Sequence, residues 1–141
     1  MPIKKIQDKL LQAAKEATLL SYSPYSKFRV GAAVYANGKI FHGANIENGS
    51  SNLGICAERV AMAHARMFSA TNIEGIAIYC IDAGKDSKGN YLKKQTLPCG
   101  ACLQWLAELA PDAWIITNGS RSVHTVSDLL PMPFTSRNFK K

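Results

Sequence analysis

Four residues carry the chemistry that this sequence can do. Cys99 and Cys102 stand three apart in Leu97-Pro98-Cys99-Gly100-Ala101-Cys102, and Cys56 and Glu58 stand two apart in Gly54-Ile55-Cys56-Ala57-Glu58-Arg59. Residues three apart share one face of a helix. Pro98 just ahead and Leu103-Gln104-Trp105-Leu106 just behind predict that the cysteine pair opens one. Cys56 begins a second apolar-periodic segment through Val60, Ala61, Ala63, Ala65 and Met67. A helix start offers unpaired N–H groups and the positive end of a dipole, and both favour thiolate over thiol. Two such starts carrying three cysteines can converge on one cation.

Zinc suits three thiolates and keeps a fourth position for water. Glu58 lies too close to Cys56 along the chain to be a comfortable fellow ligand. It is placed instead to touch whatever fills the fourth position, where a carboxylate can take a proton from water and hand it on. Three thiolates and Zn²⁺ sum to −1, which weakens the metal as a Lewis acid. The helix dipoles oppose this, and so does Arg59 if it donates to cysteine sulfur. The site requires Cys56 and Glu58 in the first helical turn, because residues two apart diverge further along a helix.

The elements that must position these groups follow from periodicity. Residues 3–20 read as an amphipathic helix, with Ile6, Leu10, Ala13, Ala14 and Ala17 at helical spacing. Residues 21–26, with Pro24, form a loop. Residues 28–35 and 39–44 are strands about an Asn37-Gly38 hairpin turn. A helix over 56–68, a strand over 75–81, a polar loop over 82–95 and a helix over 99–110 closed by Pro111 follow. Strands over 114–117 and 123–126 flank an Asn118-Gly119 turn, and Ser127 or Asp128 caps a final turn ending at Pro131. The expected fold is a three-layer α/β/α sandwich with a mixed five-stranded sheet, one domain over 1–141.

The 141 residues are 47% hydrophobic, ample for a core, and no apolar run is long enough to span a membrane. The first residues hold no apolar signal segment, which points to a cytoplasmic protein. In that compartment Cys-x-x-Cys favours metal or redox chemistry over disulfides. The net charge of +7 raises nucleic acid as a partner, but the basic residues are scattered, paired only at Lys4-Lys5, Lys93-Lys94 and Lys140-Lys141. No basic stripe interleaves with aromatics, so a solvated surface is the preferred reading. None of His42, His64 and His124 is assigned to a metal, and Cys80 reads as a small core residue.

Cys-Ala-Glu followed by Pro-Cys-x-x-Cys resembles the zinc nucleoside deaminases, in the three-cysteine form of their signature. Tyr22-Ser23-Pro24-Tyr25-Ser26-Lys27-Phe28-Arg29-Val30-Gly31-Ala32-Ala33, Gly43-Ala44-Asn45-Ile46-Glu47-Asn48 and Leu129-Leu130-Pro131 extend the likeness over nearly the whole chain, to the small homotetrameric cytidine deaminases. The resemblance implies one zinc ion per chain on Cys56, Cys99 and Cys102, with Glu58 as acid and base in hydrolytic deamination of cytidine and deoxycytidine, a pyrimidine salvage reaction. It implies that Phe28 flanks the pyrimidine, that Asn45 and Glu47 hold the 3′-hydroxyl of ribose, and that backbone groups at Ala57 and Cys99 meet the ring. It also implies that Arg59 supports the sulfurs and that Phe134 reaches a neighbouring subunit's site. Two positions depart from the family: Ser51 stands where many relatives carry Tyr, and Leu103 where they usually carry Arg. Those departures keep open a modified cytosine nucleoside or nucleoside antibiotic as substrate. Two readings outside that chemistry also remain: a structural zinc module that binds RNA, and a dithiol redox protein built on Cys99 and Cys102.

Overall fold

A computed structural model of the chain describes residues 2–136; the stretch 137–141, whose basic, weakly patterned sequence predicts a frayed end, lies outside the described residues. The first helix, α1 (Ile3–Ala17), buries Leu10, Ala13, Ala14 and Ala17, spaced three and four apart as one face of a helix requires. A single 3-10 turn, Thr18–Leu20, ends it. Strands β1 (Val30–Ala36) and β2 (Lys39–Ala44) pair antiparallel about Asn37 and Gly38, whose φ angles of 52° and 76° suit a tight hairpin turn. Helix α2 (Ala57–Met67) follows, then β3 (Ile73–Cys80), α3 (Gly100–Leu109), β4 (Trp114–Thr117), β5 (Ser120–Thr125) and the short α4 (Val126–Leu129).

The five strands form one sheet in the order β2-β1-β3-β4-β5, with β3 and β4 parallel and every other pair antiparallel. Alternation sorts the side chains of each strand onto two faces. On one face Ala33, Ala77 and Ile116 pack against Leu10, Ala13 and Ala14 of α1. On the other, Ala32, Val34, Ile76, Ile78 and Ile115 pack against Ala61, Met62 and Ala65 of α2 and Leu103 and Leu106 of α3. The sandwich and its mixed sheet are as the sequence predicts.

Several boundaries differ from expectation: α1 gives way to the 3-10 turn after Ala17, and β3 runs Ile73–Cys80 rather than 75–81. The first strand begins at Val30, not Phe28, because Lys27 takes a left-handed backbone (φ 58°) and the Phe28 N–H turns to Ser26 Oγ at 3.0 Å. The last strand begins at Ser120 and ends at Thr125, and Val126 belongs to α4. Thr125, not Ser127 or Asp128, caps that helix: its hydroxyl accepts the Asp128 N–H while the Asp128 carboxylate accepts the Thr125 N–H, a reciprocal box.

Helix α2 lies unusually close to the sheet. A Cβ placed on Gly43 of β2 would collide with the Ala57 carbonyl and the Ala61 backbone, so only glycine permits this approach. The first turn of α2 therefore rests on strand backbone.

Candidate metal centre

The registers bring four chain segments to one end of the sheet. Val30 opens β1 opposite Cys80, which closes β3; Gly31 lies opposite Ala44, the last residue of β2; and Ile78 lies beside Thr117, the last residue of β4. That end is the carboxyl end of the parallel pair, where open α/β sheets place their crevice. A cleft of about 500 Å³ opens there. Phe28, Asn45, Glu47, Cys56, Ala57, Glu58, Arg59 and Cys99 line it, together with Val30, Ile78, Cys80, Ser51, Gln95 and Leu97.

Cys56 and Cys99 each occupy the residue immediately before the first turn of their helices, in extended conformation, and Cys102 sits one turn inside α3. Their side chains do not cap the helices, which leaves the first-turn N–H groups of both aimed at one place. The three sulfurs lie within 4.8 Å of one another, with Cys56–Cys99 at 3.7 Å and Cys99–Cys102 at 3.5 Å. A tetrahedron with metal–sulfur bonds of ~2.3 Å has edges of about 3.8 Å, so the trio fits one zinc ion and leaves one corner to a non-protein ligand.

The electrostatics agree with that use. The hydrogen bond from Cys102 brings the Cys56 thiol down to about 5, with Arg59 helping and burial opposing. Cys102 moves the other way, up, because it donates to Cys56 and is buried beside Glu58. Without an ion Cys102 thus keeps its proton and turns it toward Cys56, and binding of a divalent metal releases protons from such ligands. Arg59 Nη2 donates to Cys56 Sγ at 3.5 Å, and this bond raises the guanidinium pKa further. Arg59 Nε is buried without a partner.

Glu58 is in the first turn of α2, as the site requires, and only 4% exposed. Burial, and then the Cys56 charge, push its carboxyl up to about 7, where it gains and loses a proton near neutrality. Cys80 is the core residue expected, and it also forms part of the cleft wall; burial first, then Glu58, raise its thiol to about 12, so it remains neutral.

Asn45 and Glu47 line the opposite wall, and both are engaged with backbone. Asn45 Oδ1 accepts the Val30 N–H at 2.9 Å and the Ser21 hydroxyl at 2.5 Å, while its Nδ2 donates to the Phe28 carbonyl at 2.9 Å. Glu47 Oε1 accepts the N–H groups of Tyr25 and Ser26, both at 3.1 Å, and Oε2 accepts the Ser26 hydroxyl at 2.5 Å. The Ser26 hydroxyl bond, foremost, holds the Glu47 carboxyl below its usual range. These bonds leave one Nδ2 hydrogen on Asn45 and one carboxylate lone pair on Glu47 unused. Arg29, beside Phe28 in sequence, and Asp82 form a paired contact, Nε to Oδ2 and Nη2 to Oδ1 both at 2.8 Å, and the Arg29 N–H adds a third bond to Oδ2.

The resemblance puts the loop 21–26 at the mouth of the site, and the loop 82–95, leading into Pro98, is expected to border it, but the individual contacts of Ser21, Ser26 and Asp82 are not legible, because their partners lie 21 to 53 residues away and leave no local pattern. His64 stays out of the site, donating from Nδ1 to the His42 carbonyl at 3.0 Å and meeting Phe41 and Phe68 edge-on. His124 pairs with Ser120 Oγ at 3.1 Å. Leu103 is buried in the core beneath α3, and Ser51 lies exposed at the cleft rim. Phe134 is 57% exposed beyond α4, its carbonyl accepting Gln104 Nε2 at 2.6 Å. Among the described residues no helix is long and apolar enough to cross a membrane.

Residues 4–118 match the model of the cytidine and deoxycytidylate deaminase zinc-binding region. A cytidine deaminase of Halalkalibacterium halodurans is 38% identical over 134 residues, covering 92% of this chain and 94% of the relative. One from Sporosarcina psychrophila is 36% identical, covering 93% of each. The crystal structure of cytidine deaminase from Burkholderia pseudomallei superposes with a TM-score of 0.75 at 37% identity, covering 90% of this chain and 98% of that one.

Proposed function

The chain belongs to the cytidine and deoxycytidylate deaminase zinc-binding family, and from that premise we propose that it hydrolyses cytidine and deoxycytidine to uridine and deoxyuridine with release of ammonia. The observation that carries this is a buried glutamate in the same cleft as Cys56 and Cys99, which with buried Cys102 are spaced for a three-ligand zinc ion. A zinc ion on Cys56, Cys99 and Cys102 supplies, when bound, Lewis acidity that makes water nucleophilic near neutral pH.

Glu58 does the proton work. Its carboxylate removes a proton from the water that attacks C4 and delivers it to N3 of the ring. It then takes the remaining proton from the C4 hydroxyl and passes it to the exocyclic nitrogen, so that the C4 carbonyl forms as the C4–N bond breaks and ammonia leaves. A carboxyl held near 7 suits both halves of that exchange. Phe28 lies along the flat ring, and the backbone at Ala57 and Cys99 meets its polar edge. Asn45 and Glu47 take the 3′-hydroxyl with the donor and acceptor left to them, and no lining group demands a 2′-hydroxyl. Arg59 tempers the charge on the sulfurs.

The reading extends to a single domain over 1–141, a homotetramer, a cytoplasmic location and a role in pyrimidine salvage, with neither membrane nor nucleic acid as partner. Support for assembly comes from exposed apolar side chains: Leu19, Leu20, Met67, Phe68 and Met132 are each at least 69% exposed, and Ile46 belongs both to the catalytic cleft and to an apolar groove beside it. Phe134 then enters a neighbouring copy's cleft.

The test is zinc per chain measured alongside ammonia release from cytidine, deoxycytidine and a panel of modified cytosine nucleosides. One zinc with turnover of the two plain nucleosides is expected. Turnover of a modified nucleoside alone would move the reading to that substrate. A metal-free protein with a reversible Cys99–Cys102 disulfide would replace it with redox chemistry.

A further inference from the structure

The last residues of β4 reach the metal centre through the loop that precedes Cys99. Thr96 and Thr117 are both buried, at 0% and 3% exposure, and their hydroxyl oxygens lie 2.9 Å apart. Thr96 Oγ1 donates to the Lys93 carbonyl at 3.0 Å, so the Thr117 hydroxyl donates to Thr96. Thr117 Oγ1 in turn accepts the Gly119 N–H at 3.1 Å. The chain of bonds is complete, with a donor and an acceptor used on each hydroxyl. Gly119 makes it possible, since a Cβ there would collide with the Thr96 side chain.

The placement of this pair matters more than its polarity. Thr96 stands three residues before Cys99, and Leu97 and buried Pro98 join them. Cys99 precedes the first turn of α3 without a side-chain cap, its carbonyl accepting the Leu103 N–H at 2.9 Å. Its downstream side is thus held by the helix, and its upstream side by Thr96. Asn118, between Thr117 and Gly119, serves a different wall: its amide clips both backbone groups of Cys80, at 2.9 and 3.1 Å.

We infer that Thr96 and Thr117 are positioning residues for Cys99, a buried hydroxyl latch between the end of β4 and the ligand loop that sets how tightly the three sulfurs hold zinc. This rests on the trio being a zinc site. Groups that orient metal ligands without touching the metal change affinity when altered, by roughly 10- to 100-fold.

The experiment is competition for zinc between the purified full chain and a chromophoric chelator. Thr96→Val keeps the shape but removes the hydroxyl, and is expected to weaken zinc binding by roughly 10- to 100-fold. Thr96→Ser restores the hydroxyl and is expected to bind close to the unsubstituted protein. Thr117→Val tests the same pair from the other side if Thr96→Val does not fold. Loaded with Co²⁺, the valine variants should show shifted thiolate charge-transfer bands, and the serine variant should not. Asn118→Ala, which frees Cys80 but not the latch, should retain zinc affinity. A Thr96→Val protein that melts lower but binds zinc as tightly as its parent would overturn the inference, as would an equal loss of affinity in Asn118→Ala. An unsubstituted protein that takes up no zinc would instead sink the metal reading itself.

Discussion

The two walls of the cleft are built on different principles. On the metal side, every group sits at the tip or in the first turn of a helix: Cys56 and Glu58 on α2, Cys99 and Cys102 on α3. Their relations are set by short stretches of chain and by helical geometry. On the opposite side, Phe28, Asn45 and Glu47 lie outside helices and strands, and side chains clasp backbone from far along the sequence. Asn45 spans 15 and 17 residues to reach Val30 and Phe28, and Glu47 spans 22 and 21 to reach Tyr25 and Ser26. The metal side is set by regular elements; the other is set by these clasps together with isolated backbone bridges from Ile46 to Tyr22 and Ile55. In the proposed reaction, chemistry therefore falls to the first wall and fit to the second.

Substitutions can break that division of labour. The largest effect is expected from Cys99→Ala, which should abolish stoichiometric zinc by metal analysis and reduce ammonia release to background. Glu58→Gln should keep its zinc yet lose turnover by about 10²- to 10⁴-fold, the range for a general acid–base group. If that variant deaminates cytidine at near-parental rates, the proton carrier lies elsewhere. Asn45→Ala should act differently, leaving the Val30 N–H and Phe28 carbonyl unpaired at about 1–3 kcal/mol of stability. Its denaturation midpoint should fall and KM should rise more than kcat falls; a pure kcat loss would put Asn45 on the chemical side.

The smallest effect belongs to the Arg29–Asp82 pair, whose side chains are 47% and 26% exposed. Hydrogen bonding from Arg29 holds the Asp82 carboxyl below its ordinary 3.8. A carboxyl depressed by folding stabilises above its unfolded value, and that contribution disappears as pH falls through the folded one. Thermal melts of the parent should therefore exceed those of Asp82→Asn by a constant margin from neutral pH down to about 4, and the margin should close below it. A margin that persists in stronger acid would show that the contact is not electrostatic.

The same contrast explains what the sequence reveals. Cys56, Glu58, Cys99 and Cys102 are legible because proline placement and apolar period announce helix starts. The turn at Asn37-Gly38 and the strands Lys39–Ala44 and Trp114–Thr117 are legible for similar local reasons. The role of Asn45 as a clasp is not, since nothing near it in sequence names Val30 or Phe28 as partners. Nor is the start of β1: Lys27 in a left-handed conformation is a tertiary outcome, imposed where Ser26 and Glu47 meet. Thr125 as the cap of α4 was masked by Ser127 and Asp128, both good capping residues themselves. Asn118 and Gly119 read correctly as a turn, while their use in bracing Cys80 and admitting Thr96 depends on residues 38 and 23 positions away.

Gly43 has a consequence for the grip on the ion. Because α2 seats its leading turn directly on the main chain of β2, the height of that helix above the sheet is gauged by backbone rather than by adjustable rotamers. A methyl group added at this position would act as a shim beneath one jaw of a vice. It would raise the Cys56 tip relative to the Cys99 tip while leaving every ligand in the sequence untouched.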